Sequence, residues 1–566
     1  MGRGVVKIGG QQVSAATHVI AIPQAATVQE RHAAAELRAH LAQITGQTLP
    51  LFAEQEVGDR APIVVGKCEL LGRLGLSVDF AALGEEGIHL QSKGPALVLA
   101  GNRRGVLYAV PTFLEDYLGC RWLAPDCAVL PESGTFDLPE IERRYVPPLE
   151  YRTTDYVCAR DADWAVRNKL NGQWSDADEA RGGTVLYRGF VHTFNALVPP
   201  GDYFAAHPEY YSEVKGKRVG PDRSQLCLTN PEVLQIATAT LREWIREWPE
   251  AGIFSVSQND WYNFCECARC TALAEREGSQ MGPILHFANA IAEEMAKDYP
   301  DKLIDVLPYQ YSRKPPAYVR PRPNVVVRLS NIECCFVHPL ESDPYNASFR
   351  EDLEAWAKVT DRLWIWDYVI NYAHCILPFP NLYVLKPNIE HFIANSVTGV
   401  YEEANYFSPG GELAELRSYV IAKTLWDPSY DTDRAINEFV AGYYGPAATP
   451  IRDYIDLIHK EMAARPDLHV RIYAPPEIGY LTPEVLARSA ELFDRAEAAA
   501  AGDPILQHRV EVARLPVMYA QAMLGKQTRA SREALVNRFE RIAQAEGITM
   551  VGEPYPLTRW LRPQRT

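Results

Sequence analysis

Between Glu150 and Glu402 the chain repeats one pattern. A short apolar, β-branched or aromatic run ends in polar side chains, and a stretch with apolar residues at helical spacing follows. The runs are Glu150–Asp155, Tyr187–His192, Gln225–Thr229, Ile253–Ser257, Leu303–Pro308, Val325–Leu329, Leu363–Asp367 and Gly399–Glu402. Most show no apolar–polar alternation, as expected of parallel strands buried on both faces. Helices are predicted between them at Pro231–Trp248, Pro283–Lys297, Phe349–Ala357 and Pro387–Asn395. Eight such units in a span of about 250 residues predict an α/β fold, a (β/α)8 TIM barrel, with 193–223 as a long loop on its catalytic face.

The flanks differ. Upstream, His18–Ile22 predicts a strand, and Thr27 with Glu30 predicts a capping box that starts a helix ended by Gly46. Pro62–Gly66 predicts another strand, and Gly87–Leu90 with Ala96–Ala100 a hairpin. A second helix is predicted from the Gly101–Gly105 turn to Gly119. That turn lacks the Gly-Lys-Ser/Thr ending of a phosphate loop. Pro147–Pro148 punctuates the chain before the repeats. From Glu412 onward the pattern is helical, with segments predicted at 433–443, 449–463, 483–500, 505–525 and 530–545. The expected organisation is an N-terminal α+β domain (1–145), a barrel (149–430) and a C-terminal helical region (431–566).

Composition narrows the partners. A net charge of −15 over 566 residues disfavours a nucleic-acid or anionic-membrane surface. The sequence contains no run of about 18 apolar residues that would predict a membrane span. The first residues show neither a signal peptide nor, at Gly2, a myristoylation pattern, and the 11 cysteines are scattered, so a cytoplasmic setting is expected. The 29 Tyr, 11 Trp and 18 Phe supply flat faces that suit the C–H faces of sugars, although core packing uses the same residues. An oligosaccharide partner is expected, with no cofactor; oligomeric state is not encoded legibly.

In a barrel of this kind chemistry sits at the carboxyl ends of the strands. Those ends carry Arg152 and Asp155, His192, Asn230, Asn259 and Asp260, Tyr309 and Gln310, Asn331 and Glu333, Trp366 and Asp367, and Glu402 and Glu403. Carboxylates, amides, an imidazole and indoles describe a pocket for a polyhydroxylated substrate. Asp367 and Glu402 can equally cap the following helices. Cys265-x-Cys267-x-x-Cys270 follows Asp260, with Cys334, Cys335 and His338 available as a fourth ligand. A structural zinc, a disulfide and unconnected thiols all remain open, and no metal is assigned.

Several stretches carry a family resemblance. Ala33–Arg38, Ile63–Gly66, Gly101–Val110 and Gly119–Leu123 resemble the non-catalytic N-terminal domain of α-glucuronidases and β-hexosaminidases. His207-Pro-Glu-Tyr-Tyr-Ser, Gln225–Pro231, Val256–Asp260, the cysteine run, Asn324–Arg328, Trp366-Asp-Tyr, Pro378–Leu382, Gly399–Glu403 and Leu425–Pro428 resemble the barrel of glycoside hydrolase family 163, earlier a domain of unknown function. That family includes endo-β-N-acetylglucosaminidases. The resemblance implies a retaining hydrolysis in which the substrate's own 2-acetamido oxygen attacks the anomeric carbon. It implies Asp260 as general acid/base, its pKa raised by burial against Trp261 or Trp366 or by a neighbouring carboxylate. Asn259 would orient the acetamido group, with Glu402 or Glu403 as a second carboxylate. Arg152 and His192 would bind hydroxyls, Trp261, Tyr309 and Trp366 would stack on the sugar, and Asp367 completes the pocket. An α-glucuronidase-type enzyme, ordinary two-carboxylate catalysis and a catalytically inactive carbohydrate-binding protein are the competing expectations.

Overall fold

The computed structural model describes residues 4–564; the reading made at Gly2 lies outside them. At its centre is a parallel sheet of seven strands: β1 (Tyr151–Thr154), β2 (Tyr187–Arg188), β3 (Ile253–Ser255), β4 (Leu303–Val306), β5 (Val325–Ser330), β6 (Leu363–Tyr368) and β7 (Val397–Glu403). Their order is β1-β7-β6-β5-β4-β3-β2, so the sheet curls until its first two strands form the two edges. Helices Pro231–Glu247, Met281–Asp298, Ala347–Trp356 and Leu382–Ala394 flank it.

This is a half-barrel, and the expected closed (β/α)8 ring is not formed. Two predicted strands account for the difference. Tyr187–His192 is a strand for two residues only, because Gly189 and His192 adopt φ of +65° and +55° and turn the chain away. Gln225–Thr229 makes no strand; Leu226 forms one isolated bridge to Tyr211. Between β1 and β2 the pairing thins to the Asn171–Gly172 segment. There the Asn171 N–H donates to the Arg152 carbonyl, and the Val185 N–H donates to the Asn171 carbonyl.

Upstream, a six-stranded mixed sheet runs in the order Glu142–Tyr145, Ile88–Lys93, Ala96–Gly101, Ala61–Val65, His18–Ile22, Leu51–Ala53. Helices Val28–Thr45 and Arg103–Leu118 pack together beside it. The first begins with the predicted capping box: Thr27 Oγ1 accepts from the Glu30 N–H at 3.1 Å, and Glu30 Oε2 accepts from the Thr27 N–H at 2.8 Å. Gly46 ends it at φ +68°, where a Cβ would be strained. Downstream helices Thr432–Tyr444, Ala448–Ala463, Pro483–Ala499, Pro504–Leu524 and Arg529–Glu546 follow one another.

Buried charge ties these parts together. Glu115 on Arg103–Leu118 receives the ammonium groups of both Lys169 and Lys423. Glu86 receives Arg104 at 2.6 Å and Arg152 at 2.6 Å. Among the described residues no helix is long and apolar enough to cross a membrane.

Candidate active site

Side chains alternate across a strand, so each strand decides which residues face the concave interior. On β1, Tyr151 faces in and stacks on Trp364 of β6, with ring centroids 4.5 Å apart. Arg152 must then face out. It is fully buried, bonded to Glu86, to the Lys169 carbonyl and to the Leu149 carbonyl, and its guanidinium lies over Tyr108 and Trp426. Arg152 is therefore a contact to the N-terminal sheet, not a hydroxyl-binding group in the pocket.

The interior has a charged floor. Arg328 of β5 and Asp305 of β4, both with fully buried side chains, pair at 2.8 Å, and Ser255 Oγ donates to Asp305 at 3.0 Å. The Arg328 guanidinium is covered by Phe190 at 4.1 Å and Trp366 at 4.8 Å. Above this floor, at the strands' carboxyl ends, opens the mouth.

Asp260 stands at the mouth after β3, its side chain 58 % exposed. The Tyr309 hydroxyl donates to Asp260 Oδ1 at 2.9 Å, and Gln310 Nε2 donates to that hydroxyl at 2.9 Å. His192 Nε2 lies 3.8 Å from the same Oδ1. Its Nδ1 lies 2.7 Å from the Gln258 carbonyl, which can only accept, so Nδ1 carries the proton. Burial lowers the His192 pKa, leaving Nε2 as a neutral acceptor toward the mouth. His192 and Gln310 both sit at positive φ, +55° and +51°, a conformation non-glycine residues adopt at a cost of about 1–3 kcal/mol.

Across the mouth is Glu403 of β7. Trp366 Nε1 donates to its Oε2 at 2.6 Å, and Tyr372 donates to its carbonyl at 2.8 Å. Burial pushes the Glu403 carboxyl well above the usual carboxylate range. Asp155 and Glu553 add to that, and the Trp366 hydrogen bond opposes it. Tyr309 and Tyr473 each lie within electrostatic reach of both Asp260 and Glu403. Tyr372, which donates to the Glu403 carbonyl, packs on Tyr368 and Tyr473 with ring centroids 5.7 and 6.3 Å apart and builds an aromatic wall there.

Other expected residues fall elsewhere. Glu402 and Asp367 are register partners on β7 and β6, on the face opposite Glu403 and Trp366. Both are buried. Asn331 Nδ2 donates to Asp367 at 2.6 Å. Burial lifts Asp367 to about 6, and burial with Asp367 alongside lifts Glu402 far above its ordinary value. They form a carboxyl pair behind the sheet, outside the mouth, with the proton held on Glu402. Asn259 is buried and fully committed: Nδ2 donates to Asn195 Oδ1 and the Ser224 carbonyl, and Oδ1 accepts from the Asn195 N–H. It holds the loop and has no hydrogen left for a substrate. The Trp261 indole N–H likewise donates to Ser224 at 2.9 Å.

Two residues near the mouth, Tyr473 and Glu553, carry no strand-end signal in the sequence, and a third, Asp155, is a strand end that the sequence names without a role. Asp155 directly follows β1, accepts from the Tyr401 hydroxyl at 2.6 Å and from the Ala404 N–H at 2.7 Å, and is lifted by burial to about 7. Tyr473 and Glu553 arrive from the distant C-terminal region. An aromatic residue before Pro475-Pro476 and an acid before Pro554 were the local signals available. The cysteine cluster also differs. Cys265, Cys267 and Cys270 meet Cys227, rather than Cys334, Cys335 or His338.

Comparison with known proteins places this architecture. The profile described as "Domain of unknown function (DUF4838)" matches residues 122–456, more than half of the chain, so the chain belongs to that family. The profile described as "Glycosyl hydrolase family 67 N-terminus" matches residues 8–113. No curated protein matches the chain. Among solved structures it is similar to a GH138 enzyme targeting pectin rhamnogalacturonan II, at 9 % identity and TM-score 0.54, over 97 % of this chain and 78 % of that one. It is also similar to a family 89 glycoside hydrolase from Clostridium perfringens in complex with PUGNAc (10 % identity, TM-score 0.47, 81 % and 60 % covered). A β-N-acetylhexosaminidase matches at 14 % identity and TM-score 0.36, over 64 % and 89 %. The likeness to the GH138 enzyme and the family 67 N-terminal match give the fold a glycoside-hydrolase-like architecture.

Proposed function

We propose that the protein is a glycoside hydrolase of the family 163 type, cleaving β-linked N-acetylglucosamine-containing glycans with help from the substrate's acetamido group. One observation carries this reading. An open carboxylate, Asp260, aligned by Tyr309, shares an aromatic-lined mouth with a half-buried carboxyl, Glu403, that holds its proton. A carboxyl group that its surroundings keep protonated is equipped to act as an acid, and an exposed carboxylate aligned by a tyrosine hydroxyl is placed to accept a hydrogen bond from a substrate.

The roles read from the sequence are accordingly exchanged. Glu403 protonates the leaving glycosidic oxygen as the acetamido oxygen closes on the anomeric carbon and the C–O bond breaks. Asp260 accepts the acetamido N–H and faces the positive charge that builds on the oxazoline ring. Water then adds at the anomeric carbon as the oxazoline C–O bond there breaks and the acetamide is restored; the water proton goes to Glu403, and the anomeric configuration is retained. Trp366, Tyr309 and Tyr473 offer faces for the sugar. Asn259, Glu402, Asp367 and Arg152 support the scaffold. A uronic-acid substrate would need a cation at the mouth, and Arg152 and Arg328 are committed to Glu86 and Asp305.

Aryl β-N-acetylglucosaminides, the matching β-glucosides, α-glucuronides and N-glycans form the test panel. The expected result is release from the acetamido substrates alone, with inhibition by a thiazoline analogue of the cyclised intermediate. Equal rates on the β-glucoside would refute acetamido participation. Release from none would leave a binding protein, and release from the α-glucuronides alone would move the substrate to uronic acids.

A further inference from the structure

We propose that Cys227, Cys265, Cys267 and Cys270 bind one structural zinc ion that pins the loop carrying Asp260. The four Sγ atoms all lie within 4.8 Å of one another. Cys227 Sγ is 3.7 Å from Cys267 Sγ and 4.0 Å from Cys270 Sγ. A tetrahedral ZnS4 centre with Zn–S bonds of about 2.3 Å has S–S edges of about 3.8 Å, which the 3.7 and 4.0 Å separations match. A disulfide would need about 2.0 Å, and none of the eleven cysteines is paired.

The surroundings separate this group from ordinary buried thiols. A free cysteine usually joins the core as a small hydrophobe. Here Cys227, Cys265 and Cys270 form a cluster of their own, with Cys267 packed against it and no other apolar residue included. Polar donors meet the sulfurs instead. The Glu213 N–H donates to Cys265 Sγ at 3.4 Å, Arg218 Nη1 approaches the same sulfur at 3.9 Å, and Thr229 Oγ1 lies 3.2 Å from Cys270 Sγ. Cys267 is the N-cap of helix Ala268–Glu277, where the helix dipole favours a thiolate. Donors of this kind orient and stabilise ligating sulfurs. Four thiolates close a tetrahedron and leave no position for water or substrate, so the ion is structural. Soft sulfur ligands in that geometry select zinc over harder cations.

The ion has a mechanical task. Two residues before Cys227, the Gln225 carboxamide accepts from the Asn259 N–H at 2.9 Å and donates to the carbonyls of Asn259 and Trp261 at 2.9 and 2.7 Å. Gln225 therefore grips the backbone on both sides of Asp260. Zinc joining Cys227 to Cys265, Cys267 and Cys270 fixes the strand of chain bearing Gln225 to the loop bearing Asp260. The metal site itself does not depend on the proposed hydrolase activity.

The test uses the full, untagged chain purified without chelator. Elemental analysis should find one zinc per chain, and a thiol reagent should gain four reactive sulfurs after chelation. Cobalt exchanged into the site should give tetrahedral ligand-field bands with thiolate charge transfer. Cys265→Ser/Cys270→Ser should lose that zinc. If this variant does not fold, the cobalt spectrum and thiol count of the unaltered chain decide. Absence of metal after exposure to zinc, disulfides by mass, or iron in place of zinc would each overturn the proposal. So would full retention of zinc by a folded double variant, which would move the ion to the Cys335, His338, Asp343 and His469 group.

Discussion

Replacing Trp366 by Phe tests the assignment of Glu403 as the acid. The substitution keeps a ring against Arg328 and removes one hydrogen, the indole N–H that donates to Glu403 Oε2 at 2.6 Å. Burial and Asp155 already hold the Glu403 proton on, and the indole hydrogen bond works the other way by favouring the ionised form. Its removal must raise the Glu403 pKa further. A hydrogen bond to a charged acceptor is worth about 1.5–3 kcal/mol, and part of it survives with a neutral acid. The difference of about 1.4 kcal/mol corresponds to roughly one pKa unit. For a general acid, activity falls as pH rises through its pKa. The basic limb of kcat/KM against pH should therefore move up by about one unit in Trp366→Phe, whatever the change in absolute rate. Glu403→Gln should abolish that limb. A limb that stays fixed or moves down in Trp366→Phe would refute the acid role, as would a normal limb in Glu403→Gln.

Asp260→Asn should lower kcat/KM on an aryl β-N-acetylglucosaminide by about 10²–10³ with the unfolding midpoint unchanged, because the carboxylate faces charge that develops only in the transition state. Tyr309→Phe removes the hydrogen bond that aligns it, together with the acceptor of Gln310 Nε2, and should cost about tenfold, read in the same assay. Arg328→Met leaves Asp305 buried without its cation and should cost about 3–5 kcal/mol in urea unfolding. The double change Arg328→Met/Asp305→Leu should recover most of that loss. Burial works against ionisation of Glu115, but Lys169 and Lys423 outweigh it and hold the carboxyl below its usual range. Such a group contributes stability above its unfolded pKa and loses it as pH falls through the folded value. Acid unfolding should therefore be blunted in Glu115→Gln, which starts about 3–5 kcal/mol less stable at neutral pH.

The strands that sequence located best are β5, β6 and β7, the longest of the seven and buried over almost their whole length. The same property hid the site. A strand buried on both faces has no polar–apolar alternation to say which side chains point inward, so Glu402 and Glu403, or Trp366 and Asp367, were equivalent on paper. The structure resolves each pair by one residue of register: Glu403 and Trp366 face the mouth, and Glu402 and Asp367 turn behind the sheet. Arg152 failed for the same reason beside Tyr151. Asn259 was read as free because its three hydrogen bonds come from Asn195 and Ser224, far away in sequence. Cys227 looked like one more residue of an apolar run, and only folding brings it across to the Cys265–Cys270 loop. The capping box at Thr27 and Glu30 was legible because both partners lie within one helical turn.

Glu553 and Tyr473 have a consequence for how this family's unit of chemistry is bounded. The match to the family ends at residue 456, yet both residues lie beyond it. The Glu553 N–H donates to the Tyr372 carbonyl at 2.6 Å, and the Tyr473 ring packs near Tyr372 with centroids 6.3 Å apart. A chain cut at that match would keep Asp260, Tyr309 and Glu403 and lose one wall of their enclosure. Relatives with the same central stretch and different downstream helices would then share the proposed pair, Asp260 and Glu403, and differ in the shape of the space beside it.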